Sequence, residues 1–290
     1  MPLAIVTDST CDLSAQELAG LDVRRVPLYV HFQNQTYRDW IEITPPEIMR
    51  GIEGGAATPT TSQPTPEDFS EVYREAVAAG ADEILVITLS AELSGTYQSA
   101  TLAAKDAPAP VTVVDSRNAS IGASMLVRRA AAMRRAERSL DEIVEAIEAL
   151  REKLLLTFTV GTLEFLQKGG RIGRASALVG SLLNIKPILT LDNGLVAAAG
   201  RARGAKKALK EMVDHLVAFR EANPAGDLVL SCIHIEDEEA AERLRAAIAA
   251  AGLAFTDLGN YQLGAVIGVH VGPGTYGYYA AIDEAPELGM

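Results

Sequence analysis

The sequence predicts a two-domain α/β protein, with an N-terminal parallel-sheet α/β domain and a C-terminal mixed-sheet α/β domain. In the first half, short β-branched runs alternate with longer helical patterns, which is typical of βαβ units. In the second half, an Asn-Gly pair between two apolar runs indicates an antiparallel β-hairpin. The 290 residues also exceed the usual length of one domain. We expect domains at residues 1–156 and 157–290.

The first half supplies the parallel sheet. Polar cap residues begin three helices, at Ser14, Thr65 and Ser139. The segment Asp39–Gly51 is predicted to be a loop with a short helix. The segment Ala56–Pro66 has almost no apolar residue, which predicts a loop. The predicted strands are Leu3–Thr7, Val26–Phe32, Ile84–Thr88 and Val111–Val114.

The second half mixes parallel and antiparallel elements. Its hairpin consists of Pro187–Leu191 and Leu195–Ala199, joined by a type I′ turn at Asn193 and Gly194. The further predicted strands are Leu155–Val160, Leu228–Ile235 and Val266–Val271, and the predicted helices are Ala205–Glu221 and Asp237–Ala251.

Composition excludes several classes of protein. The net charge of −12 disfavours nucleic-acid binding, which usually needs a basic surface. Two cysteines, Cys11 and Cys232, are too few for a secreted disulfide scaffold and fit a reducing compartment. We find no signal-peptide pattern and no apolar run near the roughly 18 residues that span a bilayer. We therefore expect a cytoplasmic protein. The His and Cys residues have no metal-ligand spacing, so we expect no metal site.

Three hydroxyl-rich segments follow predicted strands or precede helices: Thr7–Thr10, Thr60–Pro64 and Leu93–Tyr97. Loops at the carboxyl ends of parallel strands converge on one edge of a sheet, where ligands bind. Ser94-Gly95-Thr96 also opens a helix, whose N-terminus favours an anion. Each segment alone is explained by capping and turn formation, but the three together favour an anion site.

Two basic segments and one histidine are further candidates. Lys168–Arg174 mixes cations with glycines but lacks the Walker pattern, so we expect no ATP site of that kind. Arg201 and Arg203, with Lys206 and Lys207 beyond the hairpin, form a basic cluster that most often would be a solvated helix start. His270 ends a predicted strand, where a structural role is the commoner one.

Taken in order, the motifs resemble those of the DegV family, the fatty-acid-binding subunits of the bacterial fatty acid kinase system. Each motif is weak alone, but the ordered set is specific and covers nearly the whole chain. The matching segments are Thr7–Leu13, Thr61–Pro64, Leu93–Ala100, Val114–Ser116, Thr162–Gly173, Lys186–Leu189 and His270–Gly274.

The resemblance implies that a long-chain fatty acid, such as palmitate (hexadecanoate), is buried between or within the two domains. It implies that Thr61 and Ser94 hydrogen-bond the ligand carboxylate. The residues implied as a supporting network are Ser62, Gly95, Arg171 and His270. It also implies a separate kinase subunit that phosphorylates the carboxylate, so this chain would be a carrier with no catalytic residue and no cofactor.

Two hypotheses of different classes remain open at this stage. The first is this carrier, and the second is a self-contained enzyme acting on a small anionic metabolite through the same loops. A deep apolar cavity favours the carrier, whereas a shallow polar cleft favours the enzyme. Under the carrier hypothesis, we expect Arg201 and Arg203 to form part of the kinase-docking surface.

Overall fold

The structure is a computed structural model that describes residues 2–54, 58–180 and 185–286. The strands are β1 (Leu3–Asp8), β2 (Val23–Val26), β3 (Tyr29–Phe32), β4 (Gln35–Arg38), β5 (Thr60–Ser62), β6 (Glu83–Thr88), β7 (Val111–Asp115), β8 (Leu154–Thr159), β9 (Ile185–Asp192), β10 (Leu195–Arg203), β11 (Asp227–His234), β12 (Thr256–Gln262) and β13 (Tyr276–Asp283). The α-helices are α1 (Ala15–Leu21), α2 (Pro45–Glu53), α3 (Pro66–Ala78), α4 (Thr96–Ala104), α5 (Ser120–Arg135), α6 (Leu140–Arg151), α7 (Glu164–Lys168), α8 (Ala205–Ala222), α9 (Glu238–Ala250) and α10 (Ala265–Val271).

The first sheet is parallel, as predicted, and has the strand order β2-β1-β6-β7. Its central strand β1 is apolar on both faces because both faces are covered. Ile5 faces the large core that contains α5, while Ala4 and Val6 face a second core with Phe69 and Tyr73 of α3. The carboxyl ends of β1 and β6 lead directly into two of the three hydroxyl-rich segments.

The second sheet is mixed, as predicted, and has the order β10-β9-β8-β13-β11-β12. Its hairpin turn has Asn193 at φ 49° and Gly194 at φ 82°, the left-handed conformations that a type I′ turn requires. The second hairpin strand continues to Arg203 instead of ending at Ala199. Arg201 and Arg203 therefore lie on a strand, and the expectation of a basic cluster beyond the hairpin is wrong for these two residues.

Three predictions about individual segments are wrong. Val266–Val271 is not a strand but most of helix α10, although its β-branched residues favour strands. Ala56–Pro66 is not all loop, because Thr60–Ser62 is a strand; Ala56 and Ala57 lie outside the described residues. Val26–Phe32 is not one extended run, because β2 and β3 lie in different sheets.

A small third sheet, with the order β4-β3-β5, was not predicted from the sequence. Strands β4 and β5 are short and largely polar, so they lack the apolar alternation that identifies a strand, whereas β3 falls within the predicted run Val26–Phe32. In this sheet Thr61 is paired with Val30 of β3. The third sheet therefore fixes the position of a residue that the family resemblance implies as a ligand contact.

The predicted domain boundary at residue 156 falls inside β8, and the domain division stays a prediction.

The two larger sheets are joined through buried polar contacts. Arg129 of α5 donates to the Asp283 carboxylate at the end of β13 at 2.5 Å, and both side chains are 4% exposed. Tyr279 of β13 donates to the backbone carbonyl of Ala119, just before α5, at 2.7 Å. The first domain and the second sheet are thus held together by an ion pair and a hydrogen bond without access to water.

We expect Arg129→Met to lower the free energy of unfolding by about 3–5 kcal/mol. The methionine fills much of the arginine volume but leaves the Asp283 carboxylate buried without this cation. Urea denaturation measures the change.

The double variant Arg129→Met/Asp283→Leu should recover most of that loss, because it removes both buried charges. The matched control is Arg74→Met, since Arg74 pairs with Glu67 at the surface with 57% of its side chain exposed. Its effect should stay within about 1 kcal/mol. Equal losses of unfolding free energy in Arg129→Met and Arg74→Met would show that the buried ion pair contributes no more to stability than the surface pair.

Candidate ligand-binding site

A cavity of about 320 Å³ lies between the first and second sheets. Most of its wall is apolar and comes from both halves of the chain. The apolar wall consists of Leu28, Leu89, Leu93, Ala119, Leu156, Phe158, Leu166, Leu191, Val196, Ile233, Leu263, Val266, Ile267, Val271 and Tyr279. The polar lining residues are Thr61, Ser62, Gln63, Ser94, Ser120, Arg171, His270 and Thr275. An enclosure of this kind suits a ligand with a long apolar part and a polar end.

Thr61 and His270 meet at the polar part of the wall. The Thr61 hydroxyl and the Nε2 atom of His270 are 2.7 Å apart. Strand β5 brings Thr61 from the first domain, and helix α10 brings His270 from the second. The two residues that the resemblance assigned to the carboxylate contact and its support are therefore in direct contact.

The imidazole of His270 is held neutral. Burial, together with the nearby positive charge of Arg171, lowers the pKa of His270 to about 4. Its Nδ1 atom is buried and has no hydrogen-bond partner among the described residues. Gly169 lies against this atom so closely that a Cβ there would be 2.3 Å from Nδ1. A glycine is therefore required where the glycine-rich loop passes the imidazole.

Arg171 turns inward from the glycine-rich loop. Its Nε atom donates to the backbone carbonyl of Leu93 at 2.9 Å, and a terminal nitrogen donates to the carbonyl of Gly169 at 2.7 Å. The resemblance implied that Arg171 belongs to the network supporting the carboxylate contact. Its described hydrogen bonds run to the backbone beside Ser94 and to its own loop, and its effect on His270 is electrostatic. Arg171 thus ties the glycine-rich loop to the Ser94 loop.

Lys168 and Arg174, the other two cations of this loop, point outward. Lys168 pairs with Glu164 at 2.7 Å and Arg174 pairs with Asp192, in each case at the surface. Arg171 is therefore the cation of this loop that lines the cavity.

Ser94 lies at the N-terminal end of α4. Its hydroxyl is 2.9 Å from the hydroxyl of Thr96, the first residue of that helix. Gly95 between them is covered by the Gln63 side chain, since a Cβ at Gly95 would be 2.1 Å from Oε1 of Gln63. Ser94 lines the cavity immediately before the N-terminus of α4, and a helix N-terminus favours a negatively charged group near it.

Ser62 of β5 contacts a histidine of the neighbouring strand β3. Its hydroxyl is 2.9 Å from Nε2 of His31, whose Nδ1 is 2.9 Å from the hydroxyl of Thr36. Ser62 also lines the cavity. Thr61, Ser62, Ser94, Arg171 and His270 therefore all lie at one cavity, and Gly95 lies beside it.

Sequence reasoning missed several lining residues. Gln63 crosses Gly95 and donates to the Ser99 hydroxyl at 3.0 Å. Tyr279 belongs to the aromatic run Tyr276–Tyr279, which gave no strand prediction because its period is irregular. That run is the start of β13, whose residues are all buried. The sequence signal for this buried strand was the run of aromatic and apolar residues at Tyr276–Ile282.

Arg201 and Arg203 lie away from the cavity, with both side chains exposed on one face of β10 while Ala202 between them is buried. Lys206 and Lys207 follow in the first turn of α8. Within the described ranges, none of these four cations has a carboxylate partner within ion-pair distance. Two unpaired lysines in the first turn of a helix oppose its dipole.

Neither a metal-binding cluster nor a membrane-spanning helix occurs in the described parts of the chain. These parts contain no group of three or more His, Cys, Asp or Glu side chains that could hold a metal ion. They also contain no helix long and apolar enough to cross a membrane.

The fold and the site define an α/β protein with a largely apolar cavity between its two larger sheets, and with hydroxyls and a neutral histidine in the polar part of the cavity wall. Comparison with known proteins gives the family. The sequence model of the DegV family matches residues 2–283, so this chain belongs to the DegV family.

Individual relatives agree with this assignment. A DegV domain-containing protein of Deinococcus radiodurans is 43% identical over 278 residues, covering 96% of this chain and 97% of the relative. The solved structure of a fatty-acid-binding DegV family protein from Thermus thermophilus has a TM-score of 0.92 and 48% identity, covering 97% of this chain and all of that one. A stearic-acid-binding protein from Eubacterium ventriosum has a TM-score of 0.89 and 27% identity, covering 98% and 99%. Both of these solved relatives are described as fatty-acid-binding proteins.

We expect His270 of the ligand-free protein to titrate near pH 4. Between the ordinary pKa of 6.5 and this value, the unfolded chain takes up a proton that the folded protein does not. This side chain therefore lowers stability as pH falls from 6.5 towards 4 and leaves stability unaffected above that window. An NMR titration of the imidazole carbons measures the pKa.

The variant His270→Gln serves two purposes in this experiment. Its missing resonance assigns His270 in the wild-type spectrum, and its unfolding free energy should depend less on pH between 4 and 6.5. A His270 that titrates at its ordinary pKa would mean that the imidazole is open to water.

Proposed function

We propose that this protein binds one long-chain fatty acid in the cavity and presents its carboxylate to a separate kinase subunit. The observation that carries the proposal is the pairing of an apolar cavity with a polar end built from Thr61, Ser94 and His270. The fatty-acid-binding relatives support the same class of ligand. Within this class, we propose palmitate as the ligand.

Burial of the acyl chain supplies most of the affinity. About 15 methylene and methyl groups at about 0.8 kcal/mol each contribute at most about 12 kcal/mol. Lost translational and chain freedom cost on the order of 4 kcal/mol or more. The remainder, at most about 8 kcal/mol, corresponds to a dissociation constant of about 1 μM at best before any polar contact is counted. An affinity of this size suits a carrier that must keep an insoluble ligand out of water.

The carboxylate is held by hydrogen bonds in this proposal, without a direct ion pair. If Nε2 of His270 carries the proton and donates to the Thr61 oxygen, the Thr61 hydroxyl proton is free to bond the carboxylate. Ser94 supplies a second hydroxyl, and the N-terminus of α4 and the Arg171 charge add a favourable field. One carboxylate oxygen then stays available as a nucleophile.

The phosphoryl transfer belongs to the partner in this proposal. A carboxylate oxygen attacks the γ-phosphorus of ATP held by the kinase subunit, the new O–P bond forms, and ADP leaves. This chain supplies the bound acid and its orientation. We propose that the reaction takes place in the cytoplasm and that no cofactor is needed here.

The alternative, an enzyme for a small anionic metabolite, is disfavoured by the cavity wall. Fifteen of the 23 lining residues are apolar, and they come from both domains. A small polar substrate would leave this surface unfilled, whereas an acyl chain covers it.

The exposed cations Arg201 and Arg203 are our proposed docking surface for the kinase subunit. They lie on the same strand as Val196, a cavity wall residue, at roughly 17 Å along the strand for Arg201 and roughly 23 Å for Arg203. In a chain of net charge −12, a cluster without carboxylate partners among the described residues is suited to steer an acidic partner surface.

We expect Thr61→Ala and Ser94→Ala each to weaken fatty acid binding about tenfold to a hundredfold. Each removes one hydrogen bond to a charged group, worth about 1.5–3 kcal/mol. Displacement of a fluorescent fatty acid from delipidated protein by palmitate measures the dissociation constants.

The matched controls are Thr60→Ala, an exposed neighbour on the same strand, and Thr101→Ala, an exposed residue of α4. Both should bind palmitate as the wild-type protein does. If the two site variants also keep wild-type affinity, the carboxylate lies elsewhere. If the wild-type protein takes up no C14–C18 fatty acid, the carrier function is wrong.

Reversing both charges with Arg201→Glu/Arg203→Glu should reduce partner-dependent acyl phosphate formation several-fold at low salt and less at moderate salt. Palmitate affinity should not change, because both side chains point away from the cavity. A reconstituted phosphorylation assay run beside the binding assay separates the two effects.

Arg74→Glu/Arg243→Glu is the control for net charge, because it also changes the charge by −4 and its two arginines are 57% and 61% exposed. Equal turnover of the two double variants would remove Arg201 and Arg203 from the docking surface.

A further inference from the structure

The Asp12 carboxylate is 2% exposed and accepts hydrogen bonds from three separate parts of the chain. Its Oδ1 atom accepts from the backbone N–H of Gly264 at 3.0 Å and from Nε1 of Trp40 at 3.3 Å. Its Oδ2 atom accepts from the Ser120 hydroxyl at 2.5 Å. One buried side chain therefore joins the first loop to the segments that precede α10 and begin α5.

The backbone at this junction is strained. Asp12, Trp40 and Ser120 all have positive φ, at 57°, 63° and 50°. Side chains other than glycine rarely adopt this conformation, and where they do, the surrounding contacts must hold them there. Here the three strained residues are hydrogen-bonded to one another through a single carboxylate.

Gly264 completes the arrangement. A Cβ at this position would be 2.4 Å from Oδ1 of Asp12 and 2.5 Å from Nε1 of Trp40. The glycine thus allows the backbone before α10 to reach the carboxylate. Gly264 is also the N-cap residue of α10, so Asp12 fixes the start of that helix.

Both elements that Asp12 fixes form walls of the cavity. Helix α10 contributes Val266, Ile267 and His270, and Ser120 at the start of α5 lines the cavity itself. A shift of α10 would move His270 relative to Thr61, because Thr61 is held separately in the third sheet. The 2.7 Å contact between these two side chains therefore depends on how α10 is held.

We propose that Asp12 is a positioning residue for the fatty acid site, which holds helix α10 so that His270 meets Thr61 and the apolar wall stays closed. Asp12 itself does not touch the ligand in this proposal. The inference rests on the proposed function for its affinity readout, but its effect on His270 is independent of any ligand.

The test compares Asp12→Ala and Asp12→Asn. The alanine variant removes all three hydrogen bonds, and we expect palmitate affinity to fall about tenfold or more. The asparagine variant keeps an acceptor for both N–H groups and removes a charge that burial and the neighbouring Asp39 disfavour. Its affinity should stay within about threefold of wild type.

The second measurement is the NMR titration of His270 in ligand-free protein. In Asp12→Ala, a displaced α10 admits water to the imidazole, and the pKa of His270 should rise from about 4 towards its ordinary value of 6.5. Asp22→Ala is the matched control: Asp22 is also a left-handed aspartate, at φ 52°, with 81% of its side chain exposed. Neither measurement should change in the control.

A folded Asp12→Ala protein with wild-type affinity and a wild-type His270 titration would overturn the inference. If Asp12→Ala does not fold, Trp40→Phe decides, because it removes a single N–H donor: a weaker affinity and a shifted His270 support the inference, and wild-type values overturn it. If the wild-type protein binds no fatty acid, the proposed function fails, and the ligand-free His270 titration alone decides.

Discussion

The hydrogen bond between Thr61 and His270 spans 209 positions of the chain, and the candidate site depends on it. It joins a short strand of the first domain to a helix of the second, across a cavity that both domains enclose. Since the surrounding wall is apolar, a polar group at this point has few alternative partners. In the free protein the Thr61 hydroxyl contacts Nε2 of the neutral imidazole, and a hydroxyl can both donate and accept, so it keeps capacity for a carboxylate.

Rigid contacts on three sides support this hydrogen bond. Arg171 ties the glycine-rich loop to the backbone beside Ser94, and the Gly169 backbone leaves no space between that loop and the imidazole. Arg129 and Asp283 join the first domain to the central strand of the second sheet without access to water. A ligand that fills the cavity therefore meets walls whose relative positions are set by buried polar contacts, which favours a preorganised site.

Much of the fold and the site was readable from the sequence, and the errors have physical causes. Capping boxes at Ser14 and Ser139 and the Asn193-Gly194 turn are local signals, and each is found where it was predicted. The prediction of a strand at Val266–Val271 was wrong because its β-branched residues favour a strand. The contacts that hold this segment as helix α10 come from distant parts of the chain. The strand at Thr60–Ser62 was not predicted because its residues show no apolar alternation. It forms by pairing with β3.

By itself the sequence determined the two kinds of sheet, the hydroxyl-rich segments and the resemblance to DegV proteins, because these depend on local pattern and on the order of motifs. Only the tertiary structure decided that Thr61 contacts His270, that Arg171 reaches the backbone beside Ser94, and that Tyr279 lines the cavity. These contacts join residues far apart in the chain, and their geometry follows from how two sheets pack around an apolar space. No local pattern encodes that packing, because the residues next to Thr61, Arg171 or Tyr279 in the sequence carry no information about which distant residue each one contacts.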